Sequence, residues 1–262
     1  MEQRSGAQSI ERAFEILRAV ADAGSTGMRL SDVLDVVDLN KATVHRMLGA
    51  LTREGMLDFD ADSRRYFMGI EALMLGAVAA ERHGVQRLAA PYLRAIADAT
   101  GDTVYLMVRR NYYGVCLARD EGAYPIRTLT LNVGDRLPLG VGSGCLAMLA
   151  CLPKDEINSI IEYHGDLSSK FGPWYTQEKI REQVMNFKKR GYALLPGIMV
   201  SGMTGIALPI LGPGGVIMGA ISVAAINERM TEERRPEIVS VLRHQIGELE
   251  KLFDGGRQRN GR

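Results

Sequence analysis

Residues 40–53 read NKATVHRMLGALTR. Val44, Met47, Leu48 and Leu51 fall at i, i+3, i+4 and i+7, the apolar stripe of a helix. The opposite face carries Ala42, Arg46, Gly49 and Arg53, with Thr43 and His45 on its flanks. No acid lies between Asn40 and Arg53, although the first seventy residues hold eleven Asp/Glu against nine Lys/Arg. A helical face kept free of acids suits a surface that meets phosphates. Bulk charge gives no such signal, since the net charge of the chain is only +1.

Upstream, Ser9 opens a helix with Ile10, Phe14, Leu17 and Val20 in helical register, and the glycines and polar residues at 24–27 stop it. A second short helix begins near Ser31, and Asp38-Leu39-Asn40 turns tightly into the third. Downstream, MLDFDADSRRYFMG reads as two strands around a turn at 60–63, with Arg64 and Arg65 just past it. Helix, helix, tight turn, helix and a basic-tipped hairpin is the order of a winged helix-turn-helix. In that arrangement the third helix lies in the major groove and its first turn reaches bases. Asn40, Lys41, Ala42, Thr43, His45, Arg46 and Arg53 are the candidate contacts on the helix, Arg64 and Arg65 those on the hairpin. Amides at the helix start and Lys41 suit phosphates. A small helical domain with solvated arginines is the plainer alternative.

At 262 residues the chain has room for about two domains. Its hydrophobic fraction of 46% and charged fraction of 24% are those of a water-soluble globular protein. No apolar run reaches the length of a membrane span, and no secretory signal is visible at the N-terminus. Three cysteines (Cys116, Cys145 and Cys151) cannot all pair and lack zinc-type spacing. The expectation is a cytoplasmic protein with reduced thiols, no metal and no cofactor.

Residues 69–84, rich in Ala and Leu, read as a connecting helix, with a core helix of the second domain equally open. From residue 85 onward a helix precedes strand-like runs at 103–110, 112–120 and 124–131. Helices follow at 154–163 and 176–190, then a hairpin of GIALPIL and VIMGAISVAA around Gly212-Pro-Gly-Gly215, then a final amphipathic helix. Helices with an antiparallel sheet make an α+β domain. Within it, Gly140, Gly142 and Gly144 lead into an apolar helix from about Cys145. Free amides at such a start favour an anion, though glycines there are also ordinary turn chemistry.

The strings SIERAFEIL, RLSDVLDVVDLNKATVHRMLGALTREGMLDFD and RRYFMG resemble the IclR family of bacterial transcriptional regulators. Lys41, Thr43, Val44, His45, Arg46 and Leu48 match its recognition helix position by position, and the resemblance extends over most of the chain. It implies a two-domain α+β protein: a winged helix-turn-helix at 1–68, a linker helix at 69–84, and a GAF-like effector-binding and oligomerisation domain at 85–262. It also implies a homodimer or homotetramer on a palindromic operator in double-stranded DNA, controlling a catabolic operon in response to a small organic acid.

In the resembled family, helix-start amides bind effector carboxylates; the matching positions here are Ser143 and Gly144, with Cys145 next. Later family positions fall on Leu195, Gly205, Ser222 and Ala224, and Ile126, Leu129 and Met203 are expected in the same cavity. The chain departs from the family here. Leu194-Leu195-Pro196-Gly197-Ile198 replaces an acidic run, Gly205 a frequent cysteine, and Ala224 a serine. The expectation is a roomier, less polar pocket for an effector with an apolar body, aromatic acids included, and at most one carboxylate.

Two other classes stay open. The second domain could only oligomerise, its pocket having lost its ligand along with its polar contacts. Alternatively Cys145, at a helix start, could be a nucleophile, but no histidine shares a motif with it, and the hydrolase and nucleotide-binding signatures are missing.

Overall fold

The computed structural model describes residues 8–82, 84–196 and 201–255. Gly197 and Ile198, singled out above, lie outside them. The chain divides into two compact units, Met1–Gly84 and Val85–Arg262. Among the described residues no helix is long and apolar enough to cross a membrane.

The first unit runs α1 (Gln8–Asp22), α2 (Leu30–Leu34), α3 (Lys41–Arg53), β1 (Leu57–Asp60), β2 (Arg65–Met68) and α4 (Ile70–Arg82). Asn40 caps α3, its side-chain oxygen accepting from the Thr43 amide at 2.9 Å, which satisfies one of the helix's unbonded N–H groups. Val44 and Leu48, one turn apart, are fully buried against Ile16 and Val20 of α1, Val33 and Leu57. β1 and β2 pair antiparallel with Asp60 opposite Arg65. The Asp60 carboxylate accepts the Asp62 and Ser63 amides and so closes the turn.

The second unit runs α5 (Val85–Thr100), β3 (Thr103–Arg110), β4 (Tyr113–Glu121), β5 (Arg136–Pro138), α6 (Ser143–Ala150), α7 (Lys154–His164), α8 (Ser168–Phe171) and α9 (Gln177–Arg190). It continues with β6 (Ala193–Pro196), β7 (Met203–Leu211), β8 (Ile217–Ile226) and α10 (Arg235–Gly255). The six strands form one antiparallel sheet in the order β5-β4-β3-β8-β7-β6. Alternation along each strand sorts the core into two layers. Tyr105, Met107 and Ala220 face α6, α7 and α9. Val104, Leu106, Ile221 and Val223 face α5 and α10.

The run at 124–131 corrects the sequence reading, because it forms no strand. Side chains fasten it instead. Thr128 Oγ1 donates to the Ala224 carbonyl at 2.7 Å. The Tyr105 hydroxyl donates to the Thr128 carbonyl and accepts from the Thr130 amide. The edge of the sheet is taken by β5, too short to show a period in the sequence.

Candidate functional site

On the first unit, Asn40, Lys41, Ala42, His45, Arg46 and Arg53 are exposed and Thr43 is half-buried. Arg64 is exposed, with a left-handed φ of 55° just past the hairpin turn. Among the described residues, Lys41, His45, Arg46, Arg53 and Arg64 make no ion pair, so their charge and hydrogen-bonding capacity face outward. One groove is lined by His45 of α3, by Arg29 and Ser31 at the start of α2, and by Phe59, Asp62 and Arg64 of the hairpin. The helix face and the hairpin tip therefore share one surface.

Arg65 is placed differently from its neighbour. Its guanidinium donates to the carbonyls of Gly27 (2.8 Å) and Thr26 (3.2 Å) and lies 3.6 Å from the Asp32 carboxylate. That carboxyl is held below its usual range, chiefly by the Arg29 backbone amide. Arg65 thus ties the hairpin to the loop before α2.

On the second unit, eight of the ten candidate residues line one cavity: Ser143, Gly144, Cys145, Leu195, Met203, Gly205, Ser222 and Ala224. Ile126 and Leu129 do not. They are 53% and 55% exposed, because the 124–131 segment turns Thr128 inward rather than following a sheet alternation. Gly142 of the glycine loop, with Tyr105, Met107, Thr130, Leu131, Leu137, Val141 and Thr204, which were not expected from the sequence, completes the wall. Tyr105 and Met107 share a strand face, but only the pairing of Tyr105 with Ser222 puts that face on the cavity.

The start of α6 is the polar end. Its first backbone bond runs from the Leu146 amide to the Gly142 carbonyl, so the amides of Ser143, Gly144 and Cys145 precede the ladder. Ser143 and Ser222 are 9% and 5% exposed. Among the described residues neither hydroxyl has a hydrogen-bond partner. The wall holds no Lys, Arg, His, Asp or Glu. An anion there would be met by neutral donors alone.

The expected roominess is corrected as well: the cavity measures about 60 Å³, below the several hundred of usual ligand pockets. The Met107 side chain occupies the space that Gly144 leaves open, its Cγ 2.9 Å from where a Cβ would stand. Ser143 does the same beside Gly205. Burial pushes the Cys145 thiol up to about 12, and no histidine lines the cavity. A neutral, enclosed thiol without a base is no nucleophile.

Residues 9–61 match the IclR helix-turn-helix domain and residues 77–248 the C-terminal domain of bacterial transcriptional regulator IclR. The HTH-type transcriptional regulator KipR of Bacillus subtilis is 27% identical over 209 residues, covering 80% of this chain and 83% of KipR. The HTH-type transcriptional repressor AllR of Escherichia coli is 26% identical over 233 residues, covering 88% and 84%. An IclR transcriptional regulator from Alicyclobacillus acidocaldarius superposes with a TM-score of 0.81 at 21% identity, covering 94% of this chain and 99% of that one. An IclR homologue from Microbacterium hydrocarbonoxydans, solved in complex with 4-hydroxybenzoate, gives 0.77 at 21% identity, covering 94% and 99%. The second domain match spans more than half of the sequence and the first lies on the helix-hairpin unit: the chain belongs to the IclR family of DNA-binding transcriptional regulators.

Proposed function

We propose that this regulator binds a palindromic operator as a homodimer or homotetramer and changes its hold on DNA when a small monocarboxylic acid enters the second unit. In this reading residues 1–68 read DNA, 69–84 link, and 85–262 sense and oligomerise in the cytoplasm, with a catabolic operon as the target. The observation that carries it is the α6 start, where two unpartnered buried hydroxyls and three ladder-free amides converge in an uncharged cavity. Such a set favours one carboxylate on an apolar body. The 4-hydroxybenzoate complex of the Microbacterium relative supports an aromatic acid as the class. Met107 and Met203 are unbranched and can repack, which opens the room a ring requires.

For DNA, the exposed face of α3 supplies base contacts from Thr43, His45 and Arg46. Lys41, Arg53, Arg64 and the α3 amides supply phosphate contacts. Symmetric half-sites about one helical turn apart require a dimer. α4 exposes Ile70, Leu73, Met74 and Val78 at i, i+3, i+4 and i+8, an apolar stripe of the kind that pairs with another surface.

The small cavity volume favours one rival, in which the second unit only oligomerises. Thermal unfolding of the full chain with benzoate, 4-hydroxybenzoate and phthalate separates the two. A ligand at a hundredfold excess over its Kd adds about 2.7 kcal/mol, so the monocarboxylates raise Tm and the dicarboxylate does not. The same acids then shift operator binding in gel retardation. No shift from any acid leaves the oligomerisation reading standing.

A further inference from the structure

The short strand β5 has a hollow on each face. Leu137 points to the cavity described above. Arg136 and Pro138, its neighbours on either side, line a second, outward hollow of about 340 Å³, as the period of a strand requires. That volume lies within the range of small-molecule sites. Tyr113, the cross-strand partner of Pro138, forms part of the wall. Tyr163 and His164 from the end of α7, and Lys170 of α8, face it.

Its chemistry is aromatic and cationic. The His164 ring stands edge-on to Tyr113 (centroids 5.0 Å, 81°) and to Tyr163 (5.2 Å, 76°). His164 Nε2 donates to the Tyr112 carbonyl at 2.8 Å, which fixes the ring. Tyr163 is 62% exposed despite its size. Lys170, which is exposed, brings positive charge, Arg136 having a partner of its own, and no acidic residue lines the hollow. A flat ring gains from the tyrosine and histidine faces and edges. An anionic substituent gains from the Lys170 ammonium.

We propose that this hollow is a second small-molecule site, taking an aromatic carboxylate. It does not depend on what fills the inner cavity, yet the two are joined. The Tyr112 carbonyl accepts both His164 Nε2 and the Leu139 amide, the latter at 3.0 Å. Leu139 follows β5 directly and opens the loop to α6. A ligand that shifts His164 or β5 therefore alters the start of α6, and the coupling is reciprocal.

Calorimetric titration of the full chain with benzoate tests this, alongside a Tyr163→Ala/Lys170→Glu double variant, both side chains being exposed. The expected wild-type isotherm has two sites, of which the double variant weakens one by about tenfold or more. Cyclohexanecarboxylate, which lacks the π face, fills the outer site more weakly than benzoate. An isotherm unchanged in the double variant overturns the proposal, as does no benzoate uptake at millimolar concentration. A fall in sedimentation coefficient of the double variant also overturns it, marking the patch as a contact between copies. A single benzoate site that survives the double variant sinks the outer site and leaves the inner cavity reading intact. A single site abolished by it upholds the outer site and sinks the inner one.

Discussion

The Ser143 hydroxyl stands 2.6 Å from the point a Cβ on Gly205 would occupy. The start of α6 therefore seats on strand β7 only because residue 205 has no side chain, and because Ser143 fills the space so left. Gly205→Ala is expected to push Ser143 off its position and cost about 1–3 kcal/mol, the usual penalty of overpacking. In Ser143→Ala/Gly205→Ala the clash with the oxygen is gone, so most of that loss returns. Urea unfolding of the four proteins measures the coupling. Strictly additive losses would show that the two residues do not compete for one space.

Arg64 and Arg65 are adjacent in sequence and opposite in duty. Arg65 holds Thr26, Gly27 and Asp32, so Arg65→Ala should lower the stability of the Met1–Gly84 unit. Arg64→Ala should leave stability unchanged and weaken all DNA sequences alike, with a shallower salt dependence. Arg46→Ala should cost about 1–3 kcal/mol of operator affinity and relax base preference. Urea unfolding checks the first of these, and gel retardation on operator and scrambled DNA at two salt concentrations checks the other two. Equal losses for Arg46→Ala on both DNAs would make it a phosphate contact.

The helices and hairpin of the first unit were legible because local signals agree there: the stripe of Val44 and Leu48, the Asn40 cap, the turn at 60–63. Strands β3, β4, β7 and β8 announced themselves in the same way. The 124–131 run did not behave so, since β-branched residues state a preference and not a partner. Its partners are the Tyr105 hydroxyl and the Ala224 carbonyl, 23 and 96 residues from Thr128 in sequence. The cavity followed the same division. Its polar end was placed by the family resemblance, since the glycine loop by itself also reads as ordinary turn chemistry, whereas its size depended on Met107 lying under Gly144, a non-local contact that no local pattern encodes.

Asp102, 4% exposed, sits at the turn between α5 and β3. Arg229 Nε donates to its Oδ1 at 2.6 Å, and Arg234 Nη2 lies 2.8 Å from Oδ2. Both arginines also donate to the Thr100 carbonyl, and Arg229 lies 3.9 Å over the Tyr124 ring. This one carboxylate joins the end of α5 to the segment after β8. Asp102→Asn leaves two guanidinium groups without their counter-charge. The expected loss is about 3 kcal/mol, the lower end for a broken buried pair because both arginines keep some water contact. A loss below about 1 kcal/mol in urea would show that the arginines find water instead.

Burial pushes the Cys145 thiol up to about 12 and the Cys116 thiol up to about 11, and raises the Tyr105 hydroxyl as well. A raised pKa in the folded state means the unfolded chain loses these protons first. Stability from this source is complete below about pH 9, the ordinary thiol value. It then falls as pH rises toward the folded values, because the unfolded state binds fewer protons there. The urea midpoint should decline between those limits, and Cys145→Ala should flatten part of that decline, with Cys116, Cys151, Tyr105, Tyr113 and Tyr175, all raised by burial, contributing to the remainder. Thiol titration with an aromatic disulfide checks the same burial from the chemical side. At neutral pH Cys151, which is exposed, should react first, with Cys116 and Cys145 following only at the rate of unfolding. Native reaction of Cys145 as fast as Cys151 would mean the α6 start opens to solvent and the thiol ionises there. A nucleophilic role would then have to be reconsidered, because enclosure without a base is what argues against it.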